Sequence, residues 1–133
     1  NKPVEINIAI SKPAEGILQQ AYLVYNEQKD KLIDSLLKDK SFTSILIFAS
    51  TKESVKKLDR ALHRIGLRAK AIHSDLDQSE REHVLREFKN KQLSILIGTD
   101  VLSRGIDVEG IDLVINYDVP PDPEDYIHRI GRT

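Results

Sequence analysis

The sequence predicts an α/β domain with a mostly parallel central sheet and helices on both faces, on three observations. Short β-rich runs alternate with helix-patterned stretches, the signature of successive β-α units. The most apolar runs, SILIF at 44–48 and LSILI at 93–97, are only five residues long, as strands buried on both faces are. Small and polar residues follow the strands, where ligand groups collect in such sheets.

Ile17 to Tyr25 reads as a strand, and Glu27 to Lys38 as a helix with Leu32, Ile33, Leu36 and Leu37 on one stripe. Ser44 to Phe48 is a buried strand, after which Ala49-Ser50-Thr51 supplies an N-cap. The next helix is expected to bury Val55, Leu58, Leu62 and Ile65, and Gly66 to end it in a left-handed cap. Arg68 to Ile72 is a strand, and Gln78 to Phe88 a helix with Val84, Leu85 and Phe88 inward. Leu93 to Ile97 is the expected central strand and Leu113 to Asn116 the last clear one. Pro120-Pro121 breaks the chain, and Asp122 to Ile130 restarts as a helix with acids in its first turn, favourable to the dipole. The first dozen residues, with Pro3 and Pro13, read as an extended lead-in or the end of a linker, covering about 1–15.

A chain of 133 residues suits one domain with one core. No apolar run approaches the roughly 18 residues of a membrane span, and no basic-then-apolar leader is visible. The absence of cysteine excludes disulfides and thiolate metal sites and fits a cytoplasmic protein. A start at Asn1, no methionine and an end at Thr133 read as the cut ends of a fragment. The net charge of −1 carries no global argument for nucleic acid, but its distribution is uneven. Residues 51–90 hold ten Lys/Arg against seven Asp/Glu, while 100–133 hold three Arg against eight acids. Either a directional surface or a mixture of solvated helix faces accounts for that.

Three segments can carry chemistry. After the strand ending at Ile97, Gly98 allows close backbone approach and Thr99 offers a hydroxyl and an amide to an oxyanion such as a phosphate. Arg104-Gly105 then sets a cation beside flexible backbone, and Asp107 is an acceptor suited to a sugar hydroxyl. An ordinary strand-to-helix loop capped by Thr99 and Asp100 is the alternative. His73-Ser74-Asp75 leads into Gln78 and Arg81, a cation in a first helical turn that serves a phosphate better than it serves the helix. Arg129 and Arg132 fall three apart, on one helix face, suited to charge on a transferring phosphoryl group or to pairing with Glu124 and Asp125. None of the six glycines precedes a lysine, so no G-x-x-x-x-G-K-[ST] phosphate cradle is present. His63, His73, His83 and His128 are ten or more apart and make no metal motif, and no G-x-S-x-G elbow appears.

Taken in order, these segments resemble the C-terminal RecA-like domain of the DEAD-box ATP-dependent RNA helicases. SILIFAST at 44–51 looks like motif IV, and HSDLDQSER at 73–81 like H-G-D-M-x-Q-x-x-R, with the Q-x-x-R element at Gln78 and Arg81. ILIGTDVLSRGIDV at 95–108 looks like motif V, LVINYDVP at 113–120 like the stretch joining V to VI, and HRIGRT at 128–133 like the start of motif VI. The chain departs from the pattern in two places. Ser74 stands where the family has glycine, and the final Gly-Arg of motif VI does not appear.

The resemblance implies roles for matching residues. Gly98, Thr99, Gln78 and Arg81 would contact the RNA backbone, with Ser50 and Thr51 of the motif IV segment beside them. Gly105 and Asp107 would touch ATP, Asp107 at its ribose. Arg132 would face the γ-phosphate as an arginine finger, His128 and Arg129 would knit the domain interface, and Phe48 would back motif VI or simply fill the core. ATP with Mg²⁺ would be held mainly by an N-terminal RecA-like domain of the same chain. RNA would be bound with little sequence preference, and the fragment alone would be inactive. Two other classes stay open on the residues: a non-catalytic RecA-like module that binds RNA or protein, and a receiver-like domain using Asp100 as phosphoacceptor.

Overall fold

Four runs of four residues form the parallel part of the sheet, and three of them are buried along their whole length. In the computed structural model of the chain, residues 4–12, 16–24, 26–39, 42–99, 102 and 110–118 are described. They comprise β1 (Val4–Lys12), β2 (Gly16–Val24), α1 (Asn26–Leu37), β3 (Ile45–Phe48), α2 (Lys52–Arg64), β4 (Ala69–Ile72), α3 (Gln78–Lys89), β5 (Ile95–Gly98) and β6 (Leu113–Asn116). The strands make one sheet in the order β2-β1-β6-β3-β5-β4. β6, β3, β5 and β4 run parallel, and β1 is antiparallel to both β2 and β6.

Side chains alternate across a strand, so each four-residue run feeds two cores. Ile45, Ile47, Ile95, Ile97, Leu113 and Ile115 meet Ile33 and Leu37 of α1 and Val55, Leu58 and Leu62 of α2 on one face. Leu46, Phe48, Leu96 and Val114 meet Val84 and Phe88 of α3 on the other, together with Leu102 and Ile111. Both faces are therefore covered by helices. Each such Leu or Ile taken out of water contributes on the order of 1.5–3 kcal/mol before chain entropy is subtracted.

Thr51 caps α2 by accepting from the Ser54 amide at 3.1 Å, and Asp77 and Glu80 close a reciprocal capping box on α3. At the opposite end of the strands, Asp112 accepts from the Thr43 and Ser44 amides at 2.9 and 3.0 Å, tying β3 to β6.

Three sequence expectations change. Val4–Lys12, read as a lead-in, is a strand paired on both sides, because Val4, Ile6, Ile8 and Ile10 alternate and the prolines fall outside it. Ile65, expected in the core, is the C-cap of α2 and 46% exposed, since Gly66 at φ +86° turns the chain away before β4 begins. β5 is interior, but β3 lies nearer the middle of the sheet. The expected helix over 122–130 lies outside the described residues, as do Asp100, Gly105, Asp107, His128, Arg129 and Arg132.

Candidate nucleic-acid interface

Parallel register brings four strand ends to one edge. Phe48 pairs with Gly98 and Asn116, and Gly98 pairs with Ile72, so the residues that follow form a continuous rim. His73, Thr99, Ser50 and Asp118 all belong to that rim.

Between the ends of β4 and β5 and the start of α3 lies a cleft of about 320 Å³. Ile72, Leu85 and Leu102 give it apolar walls, and His73, Ser74, Gln78, Arg81 and Thr99 give it polar ones. Among the described residues, Arg81 is the only formal charge lining this space, and no carboxylate joins it. Hydroxyls and a guanidinium around such a space suit a phosphate or sugar. The Arg81 Nε donates to the Leu76 carbonyl at 3.3 Å, which holds the stem, and among the described residues the terminal nitrogens of the fork meet no acceptor and are left for a ligand. The His73 Nδ1 accepts from the Asp75 amide at 3.3 Å, so in the neutral ring the proton sits on Nε2.

The loop between β4 and α3 is strapped to α2. Asp75 binds Lys52 at 3.1 Å and Lys56 at 2.5 Å, one carboxylate oxygen to each. The hydrogen bonds from Lys56 and then Lys52 hold the Asp75 carboxyl down to about 2. Away from the cleft, Lys70 likewise keeps the Glu87 carboxyl below its ordinary range.

Sequence reasoning placed Gln78, Arg81 and Thr99 here, and the structure brings all three together. Gly98 sits just beneath. A Cβ on it would come 2.3 Å from the Leu102 Cδ2, so its missing side chain makes room for the protein's own leucine. Ser50 and Thr51 share the rim but do not line the cleft. The Ser50 amide donates to the Asp118 Oδ2 at 3.1 Å and its hydroxyl donates to Oδ1, while Thr51 caps α2. Phe48 is fully buried in the second core. His73 and Ser74 were missed as site residues, although their place directly after a strand was the available signal. Gly105, Asp107 and Arg132, assigned to ATP by resemblance, and His128 and Arg129, assigned to the domain interface, lie outside the described residues, so their geometry carries no step here. Among the described residues no three His, Cys, Asp or Glu side chains gather to hold a metal, and no helix is long and apolar enough to cross a membrane.

A mostly parallel sheet with helices on both faces and a partly polar cleft at the carboxyl ends of its strands is a RecA-like arrangement. The DEAD-box protein of the hyperthermophile Methanococcus jannaschii superposes on 83% of this chain with TM-score 0.71 and 52% identity, using 30% of its own length. Saccharomyces cerevisiae Dbp5 bound to RNA and ADP BeF3 superposes on 80% with TM-score 0.74 and 35% identity, using 29% of its length. In sequence, the probable ATP-dependent RNA helicase MJ0669 of Methanocaldococcus jannaschii is 50% identical over 117 residues, 87% of this chain and 32% of that protein. The DEAD-box ATP-dependent RNA helicase CshA of Streptococcus pneumoniae is 42% identical over 131 residues, 98% of this chain and 25% of that protein. The family model described as helicase conserved C-terminal domain matches residues 28–133. This chain belongs to that family, and its sequence and fold are similar to the C-terminal RecA-like domain of DEAD-box proteins. It spans about a fifth to a third of the length of the curated relatives it matches.

Proposed function

We propose that this domain grips single-stranded RNA by its sugar-phosphate backbone in the cleft between β4, β5 and α3, as half of an ATP-dependent RNA helicase. The observation that carries the reading is the convergence of Gln78 and Arg81, from the start of α3, with Thr99, which follows β5, around one space that no carboxylate lines among the described residues. Arg81 takes a phosphate with its free fork, and the Thr99 and Ser74 hydroxyls complete the backbone contacts. Because these groups address sugar and phosphate, little sequence preference is expected.

The relatives' names as ATP-dependent RNA helicases support the rest of the reading. An N-terminal RecA-like domain of the same chain holds ATP and Mg²⁺, and the present domain closes on it. ATP supplies the driving energy by hydrolysis of its terminal phosphate. Asp107 and Gly105 meet the nucleotide, Arg132 acts as arginine finger, and His128 and Arg129 order the interface. Ser50 and Thr51 extend the RNA path along the rim. A chain without cysteine suits the reducing cytoplasm.

Photocrosslinking tests the RNA path. Single-stranded RNA carrying 4-thiouridine, bound to the two-domain protein, should attach to peptides containing residues 73–85 and 98–102. Attachment confined to α1 or to the amino ends of the strands would refute the cleft.

A further inference from the structure

Ser74 stands where the family pattern has glycine, and the exchange puts a hydroxyl on the loop that enters α3. The residue follows His73 in a turn closed by the Leu76 amide, which donates to the His73 carbonyl at 3.2 Å. It does not adopt a positive φ, so the loop carries a side chain there without strain. Ser74 is exposed, and it lines the same cleft as Arg81. Among the described residues its hydroxyl meets no partner, whereas that of Ser50 is given to Asp118. Acids follow it at the first and third positions, Asp75 and Asp77, the placement that acid-directed protein kinases take. Ser79 has Glu80 and Glu82 in the same places, but it is the second residue of α3 and its helical backbone cannot extend into a kinase groove. Cations surround the loop. Asp75 is held between Lys52 at 3.1 Å and Lys56 at 2.5 Å, so this strap carries one positive charge more than negative. The Arg81 fork meets no acceptor among the described residues. A dianion on Ser74 would therefore be drawn to its surroundings despite the neighbouring carboxylate.

We infer that Ser74 is a phosphorylation site whose phosphoryl group takes the Arg81 guanidinium and closes the cleft to RNA. This regulation rests on the RNA cleft proposed above. A protein kinase supplies the group from ATP. The Ser74 Oγ bonds to the γ-phosphorus, the bond from that phosphorus to the β–γ bridging oxygen breaks, ADP leaves, and the hydroxyl proton passes to the base of the kinase. The phosphoserine carries about −1.5 to −2 at neutral pH, more than the single charge of the RNA phosphate that it displaces. Its oxygens match the guanidinium fork, and it is tethered to the cleft while RNA has to arrive from solution. Hydrolysis by a phosphatase returns the serine and releases inorganic phosphate, so the closure is reversible.

The test places phosphoserine at position 74 of the two-domain protein during translation, with Arg81 present and in an Arg81→Ala background. Fluorescence anisotropy reads affinity for a single-stranded oligouridylate. With Arg81 present, phosphoserine should weaken binding by about ten- to hundredfold, the worth of the charge-assisted bond it takes from RNA. In the Arg81→Ala background it should cost about threefold or less, because only repulsion between exposed charges remains. Phosphatase treatment should restore the affinity of the unmodified protein. Affinity unchanged by phosphoserine overturns the inference, and so does an equal loss in both backgrounds, which would mean that Arg81 is not what the phosphoryl group takes. Arg81→Ala without phosphoserine separates the two levels. If it weakens binding while phosphoserine does not, the cleft stands and the switch falls. If it leaves binding intact, the cleft itself falls. Use of the site is read on the protein purified from its own cells. Trypsin cuts after Lys70 and Arg81, so Ser74 and Ser79 leave on one peptide, residues 71–81, in which fragmentation by mass spectrometry tells them apart. A phosphoryl group on Ser74 supports the site. A peptide that stays unmodified, or is modified at Ser79 alone, overturns it.

Discussion

Arg81→Ala is the substitution for which the structure supplies the most complete expectation. The side chain is half-buried beside the cleft, and its one side-chain hydrogen bond among the described residues, from Nε to the Leu76 carbonyl, is long at 3.3 Å. Losing that bond should cost the fold no more than about 1 kcal/mol. The free fork, by contrast, is worth about 1.5–3 kcal/mol to a phosphate as a charge-assisted bond, so affinity for single-stranded RNA should fall by roughly one to two orders of magnitude. Each neutralised phosphate of a single strand contributes about −0.7 to the slope of log affinity against log salt, so the slope should flatten by about that amount. Arg81→Lys keeps the charge and loses the fork, so it should retain the slope while giving back part of the affinity. Anisotropy titrations of a labelled oligouridylate against the two-domain protein at several KCl concentrations read both quantities. An unchanged salt slope in Arg81→Ala, together with a clear loss of thermal stability, would make Arg81 a brace for the loop and refute the phosphate contact.

The strap between the β4–α3 loop and α2 should show in acid. Asp75 is held at about 2 against an ordinary 3.8, so its bridges contribute fully above about pH 4 and are lost as pH falls through 2. An NMR titration of its carboxyl carbon with a midpoint near 3.8 would mean that the lysines do not hold it in solution. Gly98→Ala should destabilise the fold by about 1–3 kcal/mol through overpacking, because the new methyl meets Leu102. Most of that cost should vanish in a Leu102→Ala background, and a double-mutant cycle by chemical denaturation with additive effects would exclude the clash.

The parallel half of the sheet was legible because its strands are short, apolar and bounded by polar loops. SILIF and LSILI leave no room for a helix, and Leu113–Asn116 was bounded as found. β1 was misread for a local reason. Val4, Ile6, Ile8 and Ile10 show the alternation of a strand, but Pro3 and Pro13 drew the reading toward a linker, although both lie outside the paired residues. Ile65 continued the apolar stripe of α2 on paper, yet burial there depends on where the helix ends over the sheet. In the site, Gln78, Arg81 and Thr99 were legible from strand-end position and helix-start chemistry. The reason for Gly98 was not, because Leu102 approaches only in three dimensions. Nor was the attachment of Ser50 to Asp118, which lies 68 residues away and reaches it through the parallel pairing of β3 with β6.

On the proposed function this domain supplies both the RNA grip and one catalytic edge of an ATP-driven helicase, which RNA-stimulated ATP hydrolysis by the two-domain protein would reveal. With Arg132→Ala, turnover should fall on the order of a thousandfold while affinity for RNA stays near that of the wild type. Wild-type turnover in that variant would contradict that role, leaving Arg132 no part in catalysis and the domain a binding module.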